Sequence, residues 1–222
     1  MELKKKSFGF NEFYIRDNKS DEWVIREVID PKTYQKALNI NKNDIVLDLG
    51  LNIGAYCVFW GYKAKECYAY EPEIENFNIA VKNVELNKLK NCYLFNTAVV
   101  GHTDKTMNFY VGLGERKDGH SILPFRGREK VTVNCENIND ILEKTKANKI
   151  KIDIEGAEYE VIKAIKDWSN IDAIIFEWHK NFLKDTDNSK LKEIEKIIKS
   201  NFNHTKGNFD TKGWMNIISA KK

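Results

Sequence analysis

No apolar stretch in this 222-residue chain approaches the roughly 18 residues that a membrane-spanning helix requires, which excludes a helical span. The opening residues Met1-Glu-Leu-Lys-Lys-Lys6 are basic, but no apolar run of about 7 to 15 residues comes after them, so no secretory signal is expected. Cysteine is scarce. Cys57, Cys67, Cys92 and Cys135 fall at irregular spacings without a Cys-x-x-Cys pair or a Cys/His cluster, and they read as reduced core thiols of a cytoplasmic protein. Arginine is scarcer relative to its partner: 5 Arg stand against 31 Lys, and the 36 basic residues nearly balance 33 acidic ones to leave +3. Arginine is the side chain favoured for bidentate phosphate and base readout, so no stable nucleic-acid partner is expected. A Gly-x-x-x-x-Gly-Lys-Ser/Thr phosphate loop, internal repeats and low-complexity tracts are also missing.

What is present starts at Ile45. The run Ile45-Val46-Leu47-Asp48-Leu49-Gly50-Leu51-Asn52-Ile53-Gly54-Ala55-Tyr56 reads as a buried strand, a tight glycine turn and a helix start, with the apolar pattern resuming at Cys57 to Trp60. A dinucleotide site wants a middle glycine so that a diphosphate can approach the backbone; here that position is Asn52. An Asn crowds a diphosphate but can hydrogen-bond the amino-acid end of a ligand, and Asp48 favours a cationic ammonium and sulfonium over a dianion. These residues point to S-adenosylmethionine and disfavour a dehydrogenase. About twenty residues on, Cys67-Tyr-Ala-Tyr70-Glu71-Pro72 reads as a second strand ending in the carboxylate that would meet ribose hydroxyls. The expected cofactor contacts are Asp48, Gly50, Asn52, Gly54, Tyr56, Glu71, Pro72, Ala98 and Asp153.

Along the chain, residues 1–44 read as a leader, with a strand over Phe10 to Arg16, a turn at Asp17 to Ser20 and a helix over Asp30 to Leu38. Strands over Ile45–Leu49, Glu66–Tyr70, Asn91–Val99, Lys149–Ile154 and Asp172–Trp178 alternate with helices, the pattern of one α/β domain: a mostly parallel, seven-stranded Rossmann-like sheet. Thr205–Phe209 and Trp214–Ala220 supply a final antiparallel pair. Residues 100–135 interrupt the rhythm as a hairpin insertion, and its glycine-rich loop Gly112 to Ser121 is read as a lid or substrate loop carrying His120 and Ser121.

The strand ends carry the titratable groups. In Lys151-Ile-Asp-Ile-Glu-Gly156 a period of two sets Ile150, Ile152 and Ile154 on one face and Lys151, Asp153 and Glu155 on the other. Three ionisable groups on a central strand are costly unless they pair with one another or meet a ligand. The fifth strand leaves through Glu177-Trp178-His179. The expected catalytic groups are therefore Asp153, Glu177, His179 and His120, with Ser121, Lys151 and Glu155 toward the acceptor. Asp153, Glu155 and Glu177 are also able to assemble an oxygen site for Mg²⁺, but no fixed ligand spacing favours a metal.

Together, Asp48-Leu-Gly-Leu-Asn-Ile-Gly-Ala-Tyr56, Tyr70-Glu-Pro72 with Asn83-Val-Glu-Leu-Asn87, and Lys151-Ile-Asp-Ile-Glu-Gly-Ala-Glu158 resemble the FkbM family of S-adenosylmethionine-dependent methyltransferases over about residues 20–180. The third element is the most specific, because generic methyltransferases share only the first two. Leu51, where the family often has Ala, is a departure. The resemblance implies a class I methyltransferase that modifies a hydroxyl of a sugar or natural product, a small-molecule or saccharide acceptor. Two other readings stay open at this point: an RNA methyltransferase on the same fold, and a non-catalytic S-adenosylmethionine-binding protein.

Overall fold

The computed structural model describes residues 2–17, 19–30, 34–112, 128–210, 213 and 215–222. The leader consists of an antiparallel hairpin of β1 (Lys4–Phe8) and β2 (Asn11–Ile15), then α1 (Lys19–Ile29) and a short α2 (Gln35–Leu38). A turn over 17–20 and a helix over 30–38 are the sequence expectation; the helix instead begins at Lys19. Asp21 and Glu22 occupy its first turn, and Val24, Ile25, Val28 and Ile29 recur at helical spacing.

From there β3 (Ile45–Leu49), α3 (Ala55–Phe59), β4 (Glu66–Tyr70), α4 (Ile74–Leu86) and β5 (Cys92–Phe95) build two strand–helix–strand units. The expected third strand over 91–99 is split after Phe95, because the Asn96 side chain donates to the carbonyls of Glu71 and Pro72 and pins the chain at the sheet edge. Beyond the split, β6 (Ala98–Val100), β7 (Thr106–Gly112) and β8 (Arg128–Asn137) make a separate three-stranded sheet in the order β6-β8-β7. Then come α5 (Ile138–Thr145), β9 (Lys149–Ile152), α6 (Glu158–Ala164), β10 (Ala173–His179), α7 (Lys180–Leu183), α8 (Ser189–Asn201), β11 (His204–Lys206) and β12 (Met215–Lys221).

The main sheet has seven strands in the order β11-β12-β10-β9-β3-β4-β5. Its five strands from β10 to β5 are parallel, and β12 runs antiparallel to both β10 and β11. This is the Rossmann-like class I methyltransferase architecture expected from the sequence. All seven residues of β10 are buried, as a parallel strand covered on both faces requires.

Alternation sorts the side chains. Leu47, Leu49, Ile150, Ile152, Ile174 and Phe176 pack with α5, α6 and α8, while Val46, Ala69, Ala173 and Ile175 pack with α1 and α3. Register then sets Asp48 beside Lys151 and Lys151 beside Ile175, so the polar residues Asp48, Lys151, Glu177 and His179 emerge on the face that the leader covers.

Two asparagines one helical turn apart, Asn83 on α4 and Asn87 at its C-terminal end, hold the leader in place. Asn83 accepts the Tyr14 N–H at 2.6 Å and donates to the carbonyls of Tyr14 and Ile53, while Asn87 accepts the Glu12 N–H and donates to the Glu12 carbonyl. β2 is thus paired to side chains as if to another strand. No helix among the described residues is long and apolar enough to cross a membrane.

Candidate active site

The glycine turn is a left-handed loop. Gly50, Asn52 and Gly54 have φ of +89°, +51° and +87°. A Cβ on Gly50 would lie 1.7 Å from the Asp153 carbonyl oxygen, so only glycine lets this loop rest against the end of β9. The N–H groups of Gly50 and Leu51 both bond the Tyr70 carbonyl, which locks the loop to the end of β4. The Asn52 N–H donates to the Glu71 carboxylate at 2.8 Å, and the Glu73 N–H donates to its other oxygen at 3.0 Å. Glu71 is 5% exposed, and burial pushes its carboxyl up to about 7.

Each Glu71 oxygen keeps lone-pair capacity beyond these single bonds, which is what a pair of ribose hydroxyls needs. Pro72, Glu73, Ile74 and Asn96 form one wall of a cleft of about 410 Å³ whose opposite wall is β7 and β8. A loop that admits only glycine at its closest approach, a buried carboxylate and a cleft that begins at the next residue, Pro72, fit S-adenosylmethionine.

Other expected cofactor residues lie deeper. Asp48 is fully buried and its Oδ1 is 3.0 Å from Lys151 Nζ; burial pushes its carboxyl up to about 6, and the lysine keeps it ionised at neutral pH. Tyr56 is 2% exposed and its ring packs edge-on against Tyr34. The Asn52 Oδ1 accepts the Ile53 N–H and so closes its own turn. Ala98 is buried at the start of β6, off the main sheet.

The second half of the site gathers where β9 and β10 end. Lys151 Nζ donates to the Gly50 carbonyl at 2.7 Å and stands 3.7 Å from Asp153 Oδ2, so it ties the glycine loop to both aspartates. His179 Nδ1 is 2.9 Å from Glu158 Oε1. That carboxylate already accepts the N–H groups of Gly156 and Ile154, so it is an acceptor and the imidazole donates to it. His179 Nε2 faces Glu155, Glu177 and Asp153 at 3.7, 3.8 and 3.9 Å. Burial opposes a charge on His179, but Glu158 and the other carboxylates outweigh it and hold the imidazole well above its ordinary value. Burial, and then the Asp153 charge, push Glu177 up to about 9.

Exposure divides these groups. The side chains of Asp153 and Glu155 remain 28% and 27% exposed, while Lys151, His179, Glu177 and Glu158 are at 5% or less. An acceptor therefore meets Asp153 and Glu155, with the histidine and the other acids behind them.

The period-of-two pattern for Lys151, Asp153 and Glu155 needs correction, because β9 ends at Ile152 and Glu155 and Gly156 take positive φ. Glu155 reaches the cluster from a turn. The donor set able to grip a cation is likewise Asp153, Glu177 and His179, with the histidine in the place expected for Glu155. His120 and Ser121 lie outside the described residues.

Two contributors, and one link, are not among the expected site residues. Tyr34, 1% exposed, donates its hydroxyl toward Asp153 Oδ2 at 3.5 Å. Glu27 on α1 sits close enough that burial and Asp153 raise its carboxyl to about 7. Glu158 is bonded back to its loop, as its position implies, but its link to His179 joins residues 21 positions apart. Glu27 and Tyr34 fall in the Asp21 to Tyr34 stretch that also resembles the family, but nothing in its pattern assigns them to the site; the leader's docking brings them in.

Comparison with known proteins gives the family. A profile of the Methyltransferase FkbM domain matches residues 48–206. The chain belongs to the FkbM methyltransferase family. A probable cobalt-precorrin-6B C(15)-methyltransferase (decarboxylating) of Methanococcus maripaludis is 32% identical over 115 residues, which cover 51% of this FkbM methyltransferase and 52% of that protein. The chain thus aligns with about half the length of that relative. Methyltransferase sdnD of Sordaria araneosa is 22% identical over 192 residues, 70% of this chain and 74% of that one. The crystal structure of a precorrin-6y C5,15-methyltransferase from Geobacter metallireducens shares the fold, with a TM-score of 0.51 over 94% of this chain and 92% of that one at 10% identity. The family is S-adenosylmethionine-dependent, and that cofactor would supply an electrophilic methyl group when bound.

Proposed function

We propose that this FkbM methyltransferase methylates a hydroxyl of a saccharide or other small natural product. An alcohol is a weak acid and a weak nucleophile, so its methylation needs a group that takes the proton as the new bond forms. The observation that carries the reading is the pair of partly exposed carboxylates, Asp153 and Glu155, backed by the buried His179. Asp153 abuts the glycine loop through its own carbonyl, which supports its carboxylate as the one nearest the transferring methyl. Asp153 accepts the hydroxyl proton. Lys151 and the charged His179 hold that carboxylate in place, and the Tyr34 hydroxyl orients it. Positioning an oxygen roughly 3 Å from the methyl carbon supplies much of the remaining rate.

Basic side chains are mostly lysine and nearly balanced by acid, which supports a small acceptor over RNA. The test is incubation with labelled S-adenosylmethionine and separated glycan, small-molecule and RNA fractions of a cell extract. Label in a glycan or small-molecule fraction, stable to amine-specific cleavage, is expected; label confined to tRNA or rRNA would overturn the choice of acceptor.

A further inference from the structure

Behind the glycine loop, three of the four cysteines converge although their sequence spacing shows no motif. Cys57 on α3, Cys67 on β4 and Cys92 on β5 place their sulfur atoms within 4.8 Å of one another. Cys57 Sγ and Cys67 Sγ are 3.8 Å apart, and both residues are fully buried. Cys67 and Cys92 are register partners on adjacent parallel strands. Cys92 is only partly buried and lies on β5, the edge strand of the main sheet, which gives the cluster an approach from outside. The neighbouring turn packs directly on it, since a Cβ on Gly61 would lie 2.9 Å from Cys67 Sγ.

Three thiolates around one ion at the usual metal–sulfur length of ~2.3 Å stand roughly 4 Å from one another. The 3.8 Å between Cys57 Sγ and Cys67 Sγ is close to that separation. Thiolate ligands select soft cations, Zn²⁺ and Cu⁺ among them. We propose that Cys57, Cys67 and Cys92 form a three-thiolate site for such a closed-shell cation. The metal–sulfur bonds form as the three thiol protons leave to solvent. The carboxylate of Asp48 stands beside the cluster, with Oδ2 4.0 Å from Cys57 Sγ, and its other oxygen pairs with Lys151. Among the described residues the mutually close donors at this place are the three sulfurs, an open trigonal set. The site joins the helix that begins after Gly54 to the strand that leads into Glu71, so an ion there clamps two elements that flank the cofactor side of the active site.

The test is titration of the reduced, metal-stripped protein with Zn²⁺ and, anaerobically, with Cu⁺, each against a chromophoric chelator. One equivalent of at least one ion is expected to bind, and the two arms identify which. Cys57→Ser and Cys67→Ser should weaken binding beyond the roughly 10–100-fold that loss of an outer partner costs, and Cys135→Ser should leave it unchanged. Cys92→Ser, at the sheet edge, gives the same reading if a core variant fails to fold. No stoichiometric uptake of either ion by the wild-type protein, or uptake that survives Cys92→Ser intact, would overturn the site.

Discussion

The two halves of the active site are held together by different physics. On the cofactor side, between Gly50 and Glu71, position is set by backbone: three left-handed residues, two N–H groups on one carbonyl and two more on one carboxylate. On the acceptor side, between Asp153 and His179, position is set by charge, with one imidazole facing four carboxylates. The first arrangement tolerates few substitutions at its glycines, and its titrating member is Glu71, which burial raises to about 7. The second keeps its geometry only while the charges balance, so its protonation and its shape are one property.

The largest break in this contrast is expected from Asp153→Asn. It keeps size and hydrogen bonding while removing basicity, so turnover should fall by about 10²–10⁴ with cofactor affinity nearly constant in calorimetry. An Asp153→Asn enzyme with nearly full activity, beside a dead His179→Ala, would move the base to the histidine.

Gly50→Ala attacks the other half through shape alone. With φ of +89° and a Cβ 1.7 Å from the Asp153 carbonyl oxygen, it should cost about 3 kcal/mol or more of stability and displace β9 from the loop. Thermal unfolding close to that of the wild type would show that the loop has slack and that the two halves touch only loosely.

Glu71→Ala removes the buried carboxylate of the cofactor side. The expected loss is about 1.5–3 kcal/mol of S-adenosylmethionine affinity, the range for hydrogen bonds to a charged group, with turnover at saturation little changed. Unchanged affinity by calorimetry would take Glu71 out of the site.

The smallest effect sharpens the role of charge. Glu177 at about 9, Glu71 and Glu27 at about 7 and Asp48 at about 6 all lie above ordinary carboxylates. Folded protein therefore binds more protons than unfolded chain from about pH 4.5 to 9, and stability falls as pH rises through that window. His179 acts in the same direction: its raised pKa gives stability that is complete below the unfolded value and lost as pH climbs through the folded one. Glu177→Gln should flatten the decline between about pH 7 and 9, by up to ~1.4 kcal/mol per pH unit, in urea unfolding of the ligand-free enzyme. An unaltered slope would mean that Glu177 is ionised in the folded state.

The same contrast explains what the sequence discloses. Gly50, Asn52, Gly54 and Glu71 are close neighbours along the chain, their spacing reflects one strand–turn–helix–strand unit, and the parallel sheet arises from its repetition. The acceptor side draws on Glu27, Tyr34, Asp153, Glu158 and His179, which only the folded sheet and the docked leader bring together. The strand ends at Asp153 and Glu177 are readable from pattern; the partner of His179 and the hydroxyl on Asp153 are not. Lys151 is the instructive middle case. Its pattern marks it as a buried charge on a central strand, but register assigns it chiefly to Asp48, one strand over. The three sulfurs are hidden for the same reason, since α3, β4 and β5 must stack before irregular spacing becomes a cluster.

The paired asparagines at the end of α4 also bear on the order in which this protein becomes itself at the ribosome. The backbone of Tyr14 waits for a side chain 69 residues further along, and that of Glu12 for one 75 residues along. At roughly 5–20 residues per second, the emerging hairpin spends about 4–15 s without the partner that makes it part of the sheet's cover. During that interval the open edge of β2 is without the asparagines that later bond it. The leader precedes its partners in translation and is seated only once α4 has emerged, so the wall it gives the acceptor side waits on an element of the cofactor side.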